Sequence, residues 1–224
     1  MDDNKIRPYH KINGVYKRYG CPGYEDVPDD ARRGDFAMGV WAVDELEYLQ
    51  NNDWVWTEKL DGTNVRIGID PDVGEIEFRG RTDRAILPAP LAAWLNSFVD
   101  EYDGHLFSAF PHGATLYCEG VGAKIQGGTA FGEQHCKLLD VSVGGWWLEK
   151  GAVASIAKSL GLDHAPVVAV CSINEAIATV AGVPKSAFGD FAAEGYVGQP
   201  EVRLFDAKHS RICAKVKVKD FVQD

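Results

Sequence analysis

Nowhere in its 224 residues does this chain carry an apolar run long enough to span a bilayer, and its opening residues, MDDNKIRPYH, lack the basic start and apolar stretch of a secretory leader. The expectation is a cytoplasmic protein with no membrane partner. Cysteine is sparse and scattered. Cys21, Cys118, Cys136, Cys171 and Cys213 form no C-x-x-C pair, and an odd set argues for free thiols rather than a disulfide framework or a zinc site. Repeats, low-complexity linkers and clear boundaries are also missing, so residues 1–224 are expected to make a single domain. Positive charge is short as well: 23 Lys and Arg stand against 33 Asp and Glu, a net charge of −10 that weighs against a nucleic-acid partner. Distribution can override that total. Lys208, Arg211, Lys215, Lys217 and Lys219 crowd the carboxyl end, and Lys11, Lys17, Arg18, Arg32 and Arg33 form a second basic region. Folded together they would make a basic groove on an acidic body; folded apart, two solvated surfaces.

What is present reads as a mixture of strands and irregularly spaced helices, an α+β pattern with antiparallel sheets. Residues 54–69, WVWTEKLDGTNVRIGI, predict a strand, a tight turn at Asp61-Gly62 and a second strand in which Val65, Ile67 and Ile69 alternate. EIEFRGR predicts a further strand. Pro90 to Tyr102 predicts a helix with Leu91, Trp94, Leu95 and Phe98 on one face. Strands are expected over ATLYCEGVG and KLLDVSV, a helix over GWWLEKGAVASIAKSLG closed by Gly161, and a buried strand over APVVAVCSI. A short helix NEAIATVAG precedes strands over EGYV and RICAKVKVKDF.

The segment from Glu58 to Asn64, EKLDGTN, places Lys59 beside Asp61 and a glycine turn, a setting suited to a lysine nucleophile. A lysine must lose its proton before it attacks phosphorus, and an ordinary lysine does so only near pH 10.4 (about). Nearby cations and partial burial favour that loss, and Lys215 and Lys217, alternate residues of one strand, would point to the same face. Each of these features also has a plain structural reading: a turn aspartate, a surface carboxylate, an edge strand guarded by lysines.

After Lys59 follow FRGRTD (Phe78 to Asp83), YCEGVGAKIQGG (Tyr117 to Gly128), AEGYV (Ala193 to Val197) and AKVKVKDF (Ala214 to Phe221). In order and spacing, from about residue 54 to residue 221, the chain resembles the covalent nucleotidyltransferase superfamily of ATP-dependent DNA ligases, RNA ligases and capping guanylyltransferases. The resemblance implies the ligase adenylation-domain fold, ATP-grasp-like, with antiparallel sheets flanked by helices. It also implies roles. Lys59 would be the covalent nucleophile, Lys215 and Lys217 would contact the α-phosphate, and Glu194, with Asp61, would hold hydrated Mg2+ (or Mn2+) through its water shell. Glu119 would accept a hydrogen bond from the ribose, and Arg81, with Arg79 as competitor, would bind near ribose and phosphate. Glu58 resembles the glutamate that recognises the adenine amine in the ligase 2-like branch of RNA ligases, which favours ATP as co-substrate.

One residue departs from the family pattern. Leu139 stands where an aromatic usually stacks on the purine, losing offset stacking, so either nucleotide affinity is modest or Tyr117 or Trp146 compensates. Trp146 and Trp147 otherwise read as core. Asn64 matches RNA ligases of the ligase 2-like branch rather than DNA ligases and capping enzymes, which place arginine there. With three residues after Phe221, no OB-fold domain is expected. The expected function is therefore an ATP-dependent RNA ligase acting on 5′-phosphate and 3′-OH RNA ends. The alternatives are a ligase for DNA or RNA-ended DNA, and a weakly catalytic nucleotide- or RNA-end-binding module working with a protein partner.

Overall fold

The computed structural model describes residues 6–222. Of the opening read above as leader-free, Met1 to Lys5 lie outside the described residues, as do Gln223 and Asp224 of the short tail. In chain order the elements begin with β1 (Asn13–Gly14), β2 (Tyr16–Arg18), β3 (Phe36–Trp41), α1 (Asp44–Tyr48), β4 (Trp54–Glu58), β5 (Thr63–Asp70), β6 (Glu75–Arg79) and α2 (Ala89–Ala109). They continue with β7 (Ala114–Val121), β8 (His135–Val143), β9 (Trp146–Trp147), α3 (Lys150–Ser159), β10 (Val167–Cys171), α4 (Ile173–Ala181), β11 (Gly195–Pro200) and β12 (Ala214–Lys217). This is a mixed α+β architecture with largely antiparallel sheets. Among the described residues no helix is long and apolar enough to cross a membrane. The chain divides into two compact units: unit I comprises the residues up to Tyr9 and Leu60–Pro166, and unit II comprises His10–Lys59 and the residues from Val167 onward.

Unit I is built on an antiparallel sheet in the order β6-β5-β7-β8-β9. The alternation in β5 sends Val65, Ile67 and Ile69 into a core shared with Leu116 and Cys118 of β7 and Cys136, Leu138 and Val141 of β8. Leu91, Leu95, Phe98 and Leu106 of α2, with Val153 and Ala157 of α3, join that core. Burying each large apolar side chain contributes roughly 1.5–3 kcal/mol before entropy is counted. The helix expected to end at Tyr102 runs on to Ala109, because Leu106 extends its apolar stripe.

Unit II has a five-stranded sheet in the order β1-β12-β11-β4-β10, with β1 and β12 parallel, and a separate β2–β3 pair. Trp54 and Trp56, two residues apart on β4, stack at 5.7 Å on one side of the sheet, packed against Tyr196, Val216 and the apolar face of α4. Their indole N–H groups donate to Leu49 O at 2.9 Å and Cys171 O at 3.1 Å. Ser172 caps α4 in a reciprocal capping box with Glu175, which starts the helix at Ile173.

Several sequence expectations are corrected. The two strands expected within 54–69 form, but they belong to different sheets, and the chain passes from unit II to unit I between Lys59 and Leu60. Trp146 and Trp147 are not the start of a helix but pair with β8, and Trp146 is 78% exposed rather than core. The segment expected as a buried strand is the edge strand β10, with Val167, Val168 and Val170 exposed; apolar content alone does not tell an edge from a centre. β12 ends at Lys217 and gives way to a 3-10 turn, Val218–Asp220. Both basic regions fall in unit II, where β1 lies beside β12, and part of their charge is answered: Arg18 donates to Asp220 at 2.9 Å.

Candidate functional site

Strand alternation in β4 sends Trp54, Trp56 and Glu58 to one side of the unit II sheet and Thr57 to the other, with Lys59 continuing on the Thr57 side. The Lys59 N–H still donates to Gly195 O at 2.8 Å, so the lysine prolongs the ladder with β11. Register sets Val197 opposite both Thr57 and Lys215, and Gly195 opposite Lys217. Lys59, Lys215 and Lys217 therefore share the side of the sheet away from the tryptophans.

Glu194, just before β11, completes the cluster. Its Oε2 accepts from Lys59 Nζ at 2.6 Å and its Oε1 from Lys217 Nζ at 2.7 Å, with 20%, 16% and 19% of the Lys59, Glu194 and Lys217 side chains exposed. One carboxylate between two ammonium groups leaves an excess positive charge where water screens it less than on an open surface. Gly195 makes the approach geometrically accessible: its φ of +149° disfavours any side chain, and a Cβ there would strike the Val216 carbonyl. Lys215, half-buried, sits one pleat back on the same side.

Glu58 is not part of this cluster. Buried on the tryptophan side, it accepts from Ser186 Oγ at 2.5 Å and from the Ala187 N–H at 2.8 Å, and Ser186 Oγ in turn accepts from the Phe188 N–H at 3.1 Å. A buried carboxylate needs such donors, and nothing in the sequence around Ser186 marked it as their source.

Unit I holds the remaining candidates. Asn64 of β5 lies opposite Glu119 of β7, which lies opposite Lys137 of β8, so the three form a row on one face. Among the described residues the Asn64 Oδ1 is buried without a hydrogen-bond partner, while its Nδ2 reaches Cys118 O at 3.5 Å. Lys137, which sequence reasoning missed, is buried and donates to Asp163 at 2.5 Å; that hydrogen bond holds the Asp163 carboxyl below its ordinary range. A lysine leading into Leu138 and Leu139 in the strand segment KLLDV was the available signal. Asp61 accepts from the Gly127 N–H at 3.0 Å. Gly62 owes its place to close approach rather than to a turn, since a Cβ there would meet the Gly120 carbonyl and Glu119 Cγ.

Arg81 lies beyond the end of β6 in an exposed bend, so alternation does not pair it with Arg79, which is held by Glu77 and Asp83. The loop is fixed instead by fully buried Arg66, which donates to Gly80 O and Asp83 Oδ1, each at 2.9 Å. Leu139 is the extra residue of a β-bulge: Tyr117 pairs with Asp140 and Cys118 with Leu138, leaving Leu139 half-exposed between them. Tyr117 is buried between Tyr9 and Trp147, 4.9 Å from each ring. Trp147 thus packs in a ring cluster while Trp146 faces solvent.

Among the described residues no group of three His, Cys, Asp or Glu is arranged to hold a metal ion. A single carboxylate beside two lysines suits only a cation that keeps most of its own water, which is the behaviour of magnesium.

The fold is that of solved RNA ligases. An RNA ligase of Naegleria gruberi, in the apo state of a substituted variant, superposes with a TM-score of 0.59 at 18% identity, over 78% of this chain and 52% of that one. A variant of the same enzyme with ATP and Mn gives 0.60 at 16% over 78% and 52%, and a further one with ATP and Mn gives 0.61 at 16% over 80% and 54%. The chain spans about half the length of these structures. A search of curated proteins found no match. A family model described as RNA ligase matches residues 52–217, three quarters of the chain, and the chain belongs to that family.

Proposed function

We propose that this chain is the catalytic, nucleotidyltransferase-fold domain of an ATP-dependent RNA ligase that works through a lysyl-AMP intermediate. The observation that carries the reading is the Glu194 carboxylate shared by Lys59 and Lys217 on one side of the unit II sheet. Family membership and a fold similar to an RNA ligase solved with ATP and Mn support it.

Lys59 attacks the α-phosphorus of ATP; the N–P bond forms as the bond to pyrophosphate breaks. The amine must first give up a proton, and Glu194 Oε2, already within hydrogen-bond reach, is an acceptor for it. In unit II, Lys217 and Lys215 neutralise charge on the phosphate; taken by themselves, Glu119 and Asn64 of unit I are the candidates for recognising a nucleoside. Glu194 would hold magnesium or manganese through water, where the ion would supply further charge neutralisation, and Asp61 of unit I is a separate candidate for a water-mediated metal contact. AMP then passes to the 5′-phosphate of an RNA end, and a 3′-OH displaces it to seal the strand. Splitting one condensation into transfers through Lys59 replaces a hard step with easier ones.

Intact-protein mass after incubation with ATP and magnesium tests this reading. The expected result is a gain of one AMP, stable to alkali and lost in acid as a phosphoramidate is, with no gain in Lys59→Ala. Protein that gains no AMP and is not already adenylylated contradicts the reading.

A further inference from the structure

The connection between β11 and β12, residues 201–213, is a closed hairpin rather than a loose loop. Phe205 bridges Arg211, the Ile212 N–H donates to Leu204 O at 3.0 Å and the Asp206 N–H donates to Ser210 O at 2.8 Å. Asp206 Oδ1 turns inward to accept from the Lys208 N–H at 2.8 Å and the Ser210 N–H at 2.7 Å. The tip's own carboxylate is thus spent on the backbone, and His209 is held at a φ of +60°. The outward side chains at and beside the tip include the Phe205 ring, 46% exposed, and the exposed Lys208 and His209, while Glu201 is exposed at the base of the connection.

We propose that this hairpin is a docking surface for single-stranded RNA, with one base stacked on Phe205 and neighbouring phosphates on Lys208 and His209. A ring with basic side chains beside it on a pre-ordered turn is how proteins hold unpaired strands, because every base offers a face to stack and every nucleotide a phosphate. The exposed large apolar residues here, Val202, Leu204 and Phe205, are few beside the roughly 20–30 residues a side of a stable protein contact, whereas one stacked base needs only a ring. The hairpin's two ends are the strand that begins beside Glu194 and the strand that carries Lys215 and Lys217, so RNA held there is tethered by short, rigid backbone to the lysine cluster. The inference deepens the ligase reading and rests on it for the identity of the polymer.

Binding of a fluorescent, 5′-phosphorylated single-stranded RNA to the full chain, measured by anisotropy across a salt series, tests it. Phe205→Ala is expected to weaken binding about tenfold and Phe205→Trp to retain it. Lys208→Ala is expected to lower the slope of log affinity against log salt by about 0.7. All three variants should form the AMP adduct as the unchanged chain does. RNA affinity that is undetectable in the unchanged chain, or equal in Phe205→Ala and Lys208→Ala, overturns the inference. Adduct formation is read separately: its absence in every protein sinks the ligase reading, while its presence with unaltered RNA affinity sinks only the docking surface.

Discussion

Glu194 carries two interactions at once, so its removal does more than delete a contact: it leaves the Lys59 and Lys217 ammonium groups together without the charge that joins them. Glu194→Ala is expected to slow AMP-adduct formation by about a hundredfold or more, the scale on which a positioned electrostatic group acts, measured as the initial rate of mass gain at saturating ATP. A rate within a fewfold of the unchanged chain would assign Glu194 a merely structural part. Asp83 gives a pH test. The hydrogen bond from Arg66, and next that from Arg79, hold its carboxyl below the ordinary range. A carboxylate depressed in this way contributes stability above its unfolded value and loses the contribution as pH falls through its folded value. The gap in melting temperature between the unchanged chain and Asp83→Asn should therefore be full at neutral pH and shrink below about pH 4. Lys59, Asp61, Glu119, Glu194, Lys215 and Lys217 were all legible as candidates, because the ordered motifs that carry them resemble those of a known family. Arg66 and Lys137 were not, since a buried charge is defined by the partners that satisfy it, and those lie in other elements.

At the scale of elements, β4 and β11 are held together by more than their ladder. A methyl group on Gly198 would run into the Trp56 indole, and Trp56 is fully buried with its N–H committed to Cys171 O. Gly198→Ala is expected to destabilise unit II by roughly 1–3 kcal/mol, the usual cost of overpacking, read from the denaturant midpoint. An unchanged midpoint would mean that the indole has room to move. Periodicity located α2, α4, β5, β7 and β8 because one face of each meets a core and repeats at the helical or strand period. It misplaced the start of α3 and the setting of β10. Trp146-Trp147 is apolar yet pairs only along β8, and the valines of β10 sit at an edge that local pattern does not distinguish from a centre.

At the scale of the whole molecule, all five cysteines are free, and Cys118 and Cys136 are buried in the unit I core. Adding a thiol reductant is expected to leave the melting temperature unchanged, whereas a shift of several degrees would reveal a disulfide. The net charge of −10 described the total and hid its arrangement, since both basic regions belong to unit II. The sequence by itself determined the strand and helix periods, the glycine that follows Asp61, Glu119 and Glu194, and a motif order that assigns the family. These are local properties: the covalent order of residue types and their alternation. Only the tertiary structure decided that β4 and β5 part into different units after Lys59, and that Glu194 lies between two lysines. It alone supplied the distant Ser186 and Ala187 donors that hold buried Glu58, one residue from Lys59. Those outcomes depend on strand register and on which distant donors satisfy each buried charge, and neither is encoded in the spacing along one segment.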